Sequence, residues 1–390
     1  MRDQAPTENP ARPATEARPA LHNPELGPAP ATEPLPRRDQ RPSWLPAYLP
    51  ELQGLRGIAV LLVVLYHNEP LLKGTWAYRP LLWGWSGVNL FFVLSGFLIT
   101  SILIEARDKP HYFRDFYARR ALRIWPMYIL LLAACYSVPE WFLGGSWHDQ
   151  TRWQTLLAYG LFVQNLRHTP LPGTLGPTWS LAIEEQYYVV WAPIVRFLRG
   201  SRAWLLPVIL CALIVTAPVI RASHAKFLNP THTLSHLDGI AMGSLLAIAI
   251  YGLRLTRKTW LWIGAAALIL GLGGTNTVLR GPMLDTGLSL GFTGAILLAS
   301  AGTGARNPIA WLLRRGPLPY YGQISYGLYM THILVFVYWG SFSARLDHMG
   351  TTGNLIIVGL RLLVSTLVAT ILWYGFESRI LKLKRYFQSA

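Results

Sequence analysis

The feature that most limits what this chain can fold into is a succession of apolar runs, each about as long as a membrane helix. A helix rises about 1.5 Å per residue, so about 17–25 apolar residues cross a bilayer core of about 30 Å. Ten runs fit that length, at roughly 55–72, 85–104, 121–138, 179–198, 203–220, 236–252, 259–275, 286–303, 319–340 and 355–376. Charged residues make up 14% of the 390 and hydrophobic ones 52%, whereas a soluble domain carries about 25% charged residues. The expected fold class is all-α, a polytopic membrane protein with about ten transmembrane helices.

The basic residues set the orientation. With the N-terminus in the cytoplasm, the inner connections hold 18 Lys and Arg residues and the outer ones 8. Cytoplasmic loops carry such an excess, so both termini are expected to be cytoplasmic. An eleventh apolar patch, Thr155–Leu166, is too short to span comfortably. Counting it as a span would invert every later loop and spoil the asymmetry, so it reads as a re-entrant or interfacial element. The net charge of +16 is therefore a topology signal and not a nucleic-acid footprint. Residues 1–45, rich in Pro, Ala, Glu and Arg, are expected to form a disordered cytoplasmic tail. The membrane domain then covers 46–380, and 381–390 form a basic C-terminal tail. No apolar segment follows Met1, so insertion is expected to rely on the first span. Cys135 and Cys211 both lie within apolar runs and suit neither a metal site nor a disulfide.

Within this frame the polar residues fall at distinct depths. Arg56 and His67 are separated by ten residues, almost all apolar, or about 16 Å of helix. Ionisable groups inside a bilayer are costly and are usually retained for a task. His67, Glu184, Glu185, Asp238 and His332 are all expected in the outer halves of their helices, with Asn89 and Trp179 near the outer starts of theirs. Near the opposite face, Arg119, Arg120 and Arg123 enter the third run. Arg119 and Arg123, four apart, share a helical face, and guanidinium groups hold phosphate bidentately. Arg56 is placed to join them. The pattern points to a phosphate-bearing ligand inside and a His/carboxylate site towards the outside.

Each signal has a plainer reading. The three arginines suit anionic lipids and topology alone. His67 also reads as a packing histidine, His332 as a helix–helix hydrogen-bond partner, and one of Glu184 and Glu185 as facing water, since neighbours on a helix point about 100° apart. Ser95-Gly96 reads as a close-packing site and not as a nucleophile. His111 and Asp115 have three residues between them, one fewer than the His/Asp spacing of lipid acyltransferases. The tryptophans Trp76, Trp83, Trp85, Trp141 and Trp147 fit sugar stacking or an interfacial belt equally well.

Taken in order, the Arg56–His67 spacing, Phe91-Phe-Val-Leu-Ser-Gly-Phe97, the Arg119–Pro126 cluster, Thr178-Trp-Ser-Leu-Ala-Ile-Glu-Glu-Gln-Tyr187, Leu237-Asp-Gly-Ile-Ala-Met-Gly243 and Ile324-Ser-Tyr-Gly-Leu-Tyr-Met-Thr-His332 resemble the acyltransferase 3 family of integral membrane O-acyltransferases. The resemblance runs from about Glu51 to about Glu377. It implies a ten-helix enzyme of the bacterial cytoplasmic membrane. Such an enzyme takes an acyl group, commonly acetyl, from cytoplasmic acyl-CoA without a metal. It passes the group to a hydroxyl of an extracytoplasmic carbohydrate or glycolipid acceptor, often a cell-surface polysaccharide. Secondary metabolites such as macrolides are alternative acceptors. By resemblance, Arg56 and His67 belong to activity, and Arg119, Arg120 and Arg123 to the donor. Glu184 or Glu185, with Glu185 preferred, would orient His67 or bind the acceptor. Asp238, His332, Asn89 and Trp179 are acceptor candidates. The chain departs from the family at Glu377-Ser-Arg379, where Glu-x-Pro is common. A transporter without acyl transfer is the reading from another class; no repeat of the polar pattern between the halves favours it.

Overall fold

The computed structural model describes residues 41–137, 152–166, 173–223, 230–274, 281–302, 308–343 and 350–387. Among the described residues all regular structure is helical. Ten helices have 16 residues or more: α1 Pro50–Tyr66, α2 Gly87–Ala106, α3 Tyr112–Ser137, α4 Thr178–Phe197, α5 Leu205–Ala222, α6 Leu237–Gly252, α7 Arg257–Gly274, α8 Leu284–Ala301, α9 Leu318–Ser343 and α10 Gly350–Leu372. Residues 1–40 of the expected tail, Trp141, Trp147 and the loop residues Arg167, Lys226, Arg280, Arg306 and Arg345 lie outside the described residues. Arg41 and Leu45 do not behave as tail: Arg41 forms a bidentate pair with Glu105, and Leu45 is buried.

Among the described residues, four helical stretches are long and apolar enough to cross a membrane: Tyr78–Ala106, Gly200–Ala222, Gly281–Ala301 and Gly350–Phe387. Several of the other long helices carry polar groups on buried faces. Glu51 on α1, Glu184 and Glu185 on α4, and Ser325 and His332 on α9 lower the hydropathy of their runs. Apolar side chains point outwards instead from α5, α7 and α10, for example Val215, Ile269 and Leu367.

Helix boundaries differ from the apolar runs where charge and helix coincide. α1 starts at Pro50, whose missing N–H costs nothing at a helix start, and ends at Tyr66, so His67 caps the helix. α3 starts at Tyr112, nine residues before the apolar run, because Arg114 to Arg120 continue the helix as a charged extension. The short apolar patch becomes a nine-residue helix, Arg152–Gly160, closed by Phe162 at φ 54° and a 3-10 turn, Gln164–Leu166. Nine residues rise about 14 Å, too little to span a bilayer.

Backbones meet at two glycine seams. A Cβ at Gly96 would collide with the Ile240 carbonyl, and one at Gly243 with the Val93 carbonyl, so α2 and α6 touch main chain to main chain. Gly57 and Gly322 do the same for α1 and α9, against Leu318 and Gln53. Small residues allow this close approach where lipid supplies no hydrophobic drive. Near the start of α1, fully buried Glu51 is held by Arg314, the last residue of the short helix Pro308–Arg314 that precedes α9.

Candidate active site

α1, α2, α3, α4 and α9 surround a cavity of about 120 Å³ whose polar lining includes Arg56, Arg120, Arg123, Ser95, Glu184 and Tyr329. Three cations therefore share one small space. Arg120 is neutralised: its Nη2 lies 3.3 Å from Glu185 Oε1 and 3.7 Å from Glu184 Oε2, and its guanidinium stacks 4.2 Å over the Tyr188 ring. Glu184 is held further by Ser95 Oγ at 2.9 Å and Tyr188 OH at 2.8 Å. Arg56 donates to Ser325 Oγ at 3.3 Å. Among the described residues, neither Arg56 nor Arg123 has a carboxylate within ion-pairing distance, and the cavity presents two cations without direct counter-charges.

This arrangement changes three sequence expectations. The arginines that share the cavity are Arg120 and Arg123, one turn apart. Arg119 lies nearer the helix start and donates to the Phe387 carbonyl at 3.2 Å, where the 3-10 segment Lys382–Phe387 packs on α3. Glu184 and Glu185 make their described contacts with the arginine cluster and not with His67. Gly96 packs against backbone as expected, but Ser95 next to it serves Glu184.

A second feature forms where α1 ends. His67 and His332 meet, with His332 Nε2 3.3 Å from His67 Nδ1 and the ring centroids 4.9 Å apart. His332 is fully buried, and its Nδ1 faces the carbonyl oxygens of Tyr329 at 2.8 Å and Leu328 at 3.2 Å. Carbonyls only accept, so in a neutral ring that nitrogen carries the proton and Nε2 accepts. His67 Nδ1, also 2.8 Å from the Val63 carbonyl, is then the donor of the pair. The lone pair of neutral His67 is thereby assigned to Nε2. Tyr329 links the two features: it lines the cavity, and its ring lies 6.0 Å from that of His332. Its hydroxyl is fixed by Ser180 at 2.7 Å and by the Pro177 carbonyl at 3.0 Å.

The remaining candidates assemble elsewhere. Asp238 receives Arg221 Nη2 at 2.8 Å and Thr286 Oγ1 at 2.5 Å. Asn89 donates to the Asp285 carbonyl at 3.3 Å, and Trp179 packs on His236 at 4.9 Å and Phe92 at 6.0 Å. Their described contacts join α2, α4, α5, α6 and α8 and do not reach His67. Arg221, counted from sequence as a loop charge, ends α5 and organises this cluster. Among the described residues no group of three His, Cys, Asp or Glu side chains is arranged to hold a metal ion.

The acyltransferase-domain family model (Acyl_transf_3) matches residues 49–374. The chain belongs to the acyltransferase 3 family. Similar proteins include YrhL of Bacillus subtilis (strain 168), provisionally named a peptidoglycan O-acetyltransferase, at 29% identity over 85% of this chain and 55% of that protein. The peptidoglycan O-acetyltransferase OatA of Listeria monocytogenes is 27% identical over 73% of this chain and 49% of its own. A Staphylococcus aureus (strain COL) protein provisionally named an O-acetyltransferase is 30% identical over 51% of this chain and 34% of its own. The chain thus spans about half the length, or less, of these curated relatives. No solved structure matches it.

Two residues of this acyltransferase 3 chain have no site role in the sequence analysis: Glu377, noted there only for the departure from Glu-x-Pro, and Arg361. Glu377 closes a π-helical turn, Trp373–Glu377, and is buried with neither carboxylate oxygen hydrogen-bonded, in electrostatic range of Arg123 and Arg56. Such π turns often mark functional positions. Arg361 contacts Asn68, the residue after His67, and Phe336, whose ring packs on His332. It is the only charge in the run 355–376, a signal the sequence does carry.

Proposed function

We propose that this chain is a membrane O-acyltransferase that moves an acetyl group from acetyl-CoA to a hydroxyl of a cell-wall polysaccharide sugar. The observation that carries this reading is the cavity with two arginines that have no direct ion-pair partner among the described residues, joined through Tyr329 to a histidine pair. The names of the relatives favour the acetyl group and the cell-wall acceptor. In this reading all ten long helices cross the bacterial cytoplasmic membrane, with both termini inside. Arg56 and Arg123 attract the phosphates of the donor from the cytoplasmic side, with Arg119 at the mouth. The long thiol-bearing arm of the donor then carries its thioester past Tyr329 towards His67.

His67 Nε2 is the general base. It takes the proton from the acceptor hydroxyl as that oxygen bonds to the thioester carbon. The carbon–sulfur bond breaks, and the proton passes to the departing thiolate. A neutral imidazole near pH 7 suits this task. His332 is a positioning residue that holds the proton of His67 on Nδ1. Glu184 and Glu185 hold Arg120 and thereby shape the donor cavity.

The test uses the purified full chain in nanodiscs with acetyl-CoA and cell-wall glycan fragments, following thiol release and glycan mass. Wild type should release thiol in step with a one-acetyl mass gain. His67→Ala should lose at least about 100-fold in rate, the scale of a missing general base, with donor binding intact. Equal rates in the two proteins would sink the base assignment. Absence of thiol release from wild type with every acceptor would favour transport.

A further inference from the structure

Arg361 stands on α10 with no counter-charge among the described residues. Its Nη1 donates to Asn68 Oδ1 at 3.3 Å, and its guanidinium lies 5.0 Å over the Phe336 ring. Asn68 follows His67 in the chain, and the Phe336 ring is 5.7 Å from that of His332. The cation is thus linked to each histidine through one intervening residue, Asn68 on the His67 side and Phe336 on the His332 side. Its Nε has no hydrogen-bond partner, and no carboxylate among the described residues pairs with it. An uncompensated charge in a membrane helix is costly and is usually retained for a task, and a guanidinium with a free N–H suits a phosphate or carboxylate.

A second observation points to the kind of anion. At 3.6 residues per turn, Val368 and Leu372 each fall within about 20° of Arg361 on α10, one to either side. Val364, Val368 and Leu372 line an apolar groove of about 420 Å³ together with Leu131 on α3 and Leu334 and Val335 on α9. The groove is almost free of polar surface and occupies the later halves of α3 and α9. Arg361 lies one turn beyond Val364, the groove's first α10 residue. A free anion would use the arginine and leave the groove without a role. A neutral lipid would do the reverse.

We propose that the groove and Arg361 together seat a single-chain lipid phosphate. The apolar chain lies between α3, α9 and α10, the phosphate oxygens bind Arg361, and a sugar borne on that phosphate reaches His67. The acceptor is thus lipid-borne. The sugar's place rests on the transfer reading above; the lipid-phosphate seat rests on the groove and the cation alone.

The probes are farnesyl phosphate, farnesol and inorganic phosphate, titrated against the purified full chain in nanodiscs by native mass spectrometry. Farnesyl phosphate should bind at least tenfold tighter than either of the others. Arg361→Gln should remove that advantage and leave farnesol affinity unchanged. Val368→Trp should weaken both lipids at least tenfold, with Val364→Phe as the second groove variant if the first does not fold. Coenzyme A affinity, unchanged in all variants, reports an intact donor cavity. Equal binding of farnesyl phosphate and farnesol, or an advantage that survives Arg361→Gln, overturns the proposal and leaves ordinary bilayer lipid in the groove. If the binding pattern holds while wild type transfers no acetyl group, the seat stands and the transfer reading fails.

Discussion

His67 rests on His332, imidazole against imidazole, with backbone carbonyls behind both rings. Among the described residues no carboxylate steers the pair; the His67 Nδ1 proton is shared between the Val63 carbonyl and the lone pair on His332 Nε2, the one acceptor that comes from another helix. His332→Ala removes that acceptor and should lower kcat about 10- to 100-fold, within the range of acid–base contributions, while KM for acetyl-CoA stays put. His332→Gln offers an amide oxygen to the same N–H and should recover part of the loss. Identical kcat values for Ala, Gln and wild type would make His332 a packing residue only. Each histidine was visible in the sequence as an isolated polar residue in an apolar run, but their pairing was not. It depends on the alignment of α1 with α9, which no local spacing encodes. Glu184 and Glu185 teach the same lesson in reverse. Counting residues from a helix end put them level with His67, whereas packing turned them onto Arg120, whose charge needs two carboxylates at that depth.

The helices themselves were largely legible, because apolar length is a property of the chain alone. Where the expectation slipped, charge was the cause. The first turns of α3 are helical but hydrophilic, so hydropathy starts that helix late. α1 stops at Tyr66 because the polar residues His67 and Asn68 turn the chain. The close seams between helices can be tested by adding one methyl group. Gly243→Ala gains about 1 kcal/mol of helix propensity, yet its Cβ would meet the Val93 carbonyl. Overpacking of this kind costs about 1–3 kcal/mol, so the clash should win and the Tm should fall. Gly359→Ala, where nothing lies within 4 Å of the new Cβ, should be neutral or slightly stabilising. A fall of equal size in both variants would mean that the α2–α6 seam is looser than its geometry requires.

At the scale of the whole molecule, the uneven distribution of basic residues gives a sharp expectation. A fluorescent protein fused after Phe387 should fluoresce, and alkaline phosphatase fused after Lys73 should be active. The reverse pattern would invert the molecule and put the arginine cavity on the wrong side for a cytoplasmic donor. Two polar contacts bridge the same helix pair, Arg56 with Ser325 and His67 with His332, and the Gly57–Gly322 seam locks α1 to α9 close to the first of them. Cation and base are therefore fixed on one rail, about 16 Å apart along α1. Such a rail acts as a calliper. In the transfer proposed above, a carrier is gauged by the reach of its arm as well as by its phosphates, and a small acyl phosphate, however reactive, is too short to touch both jaws at once.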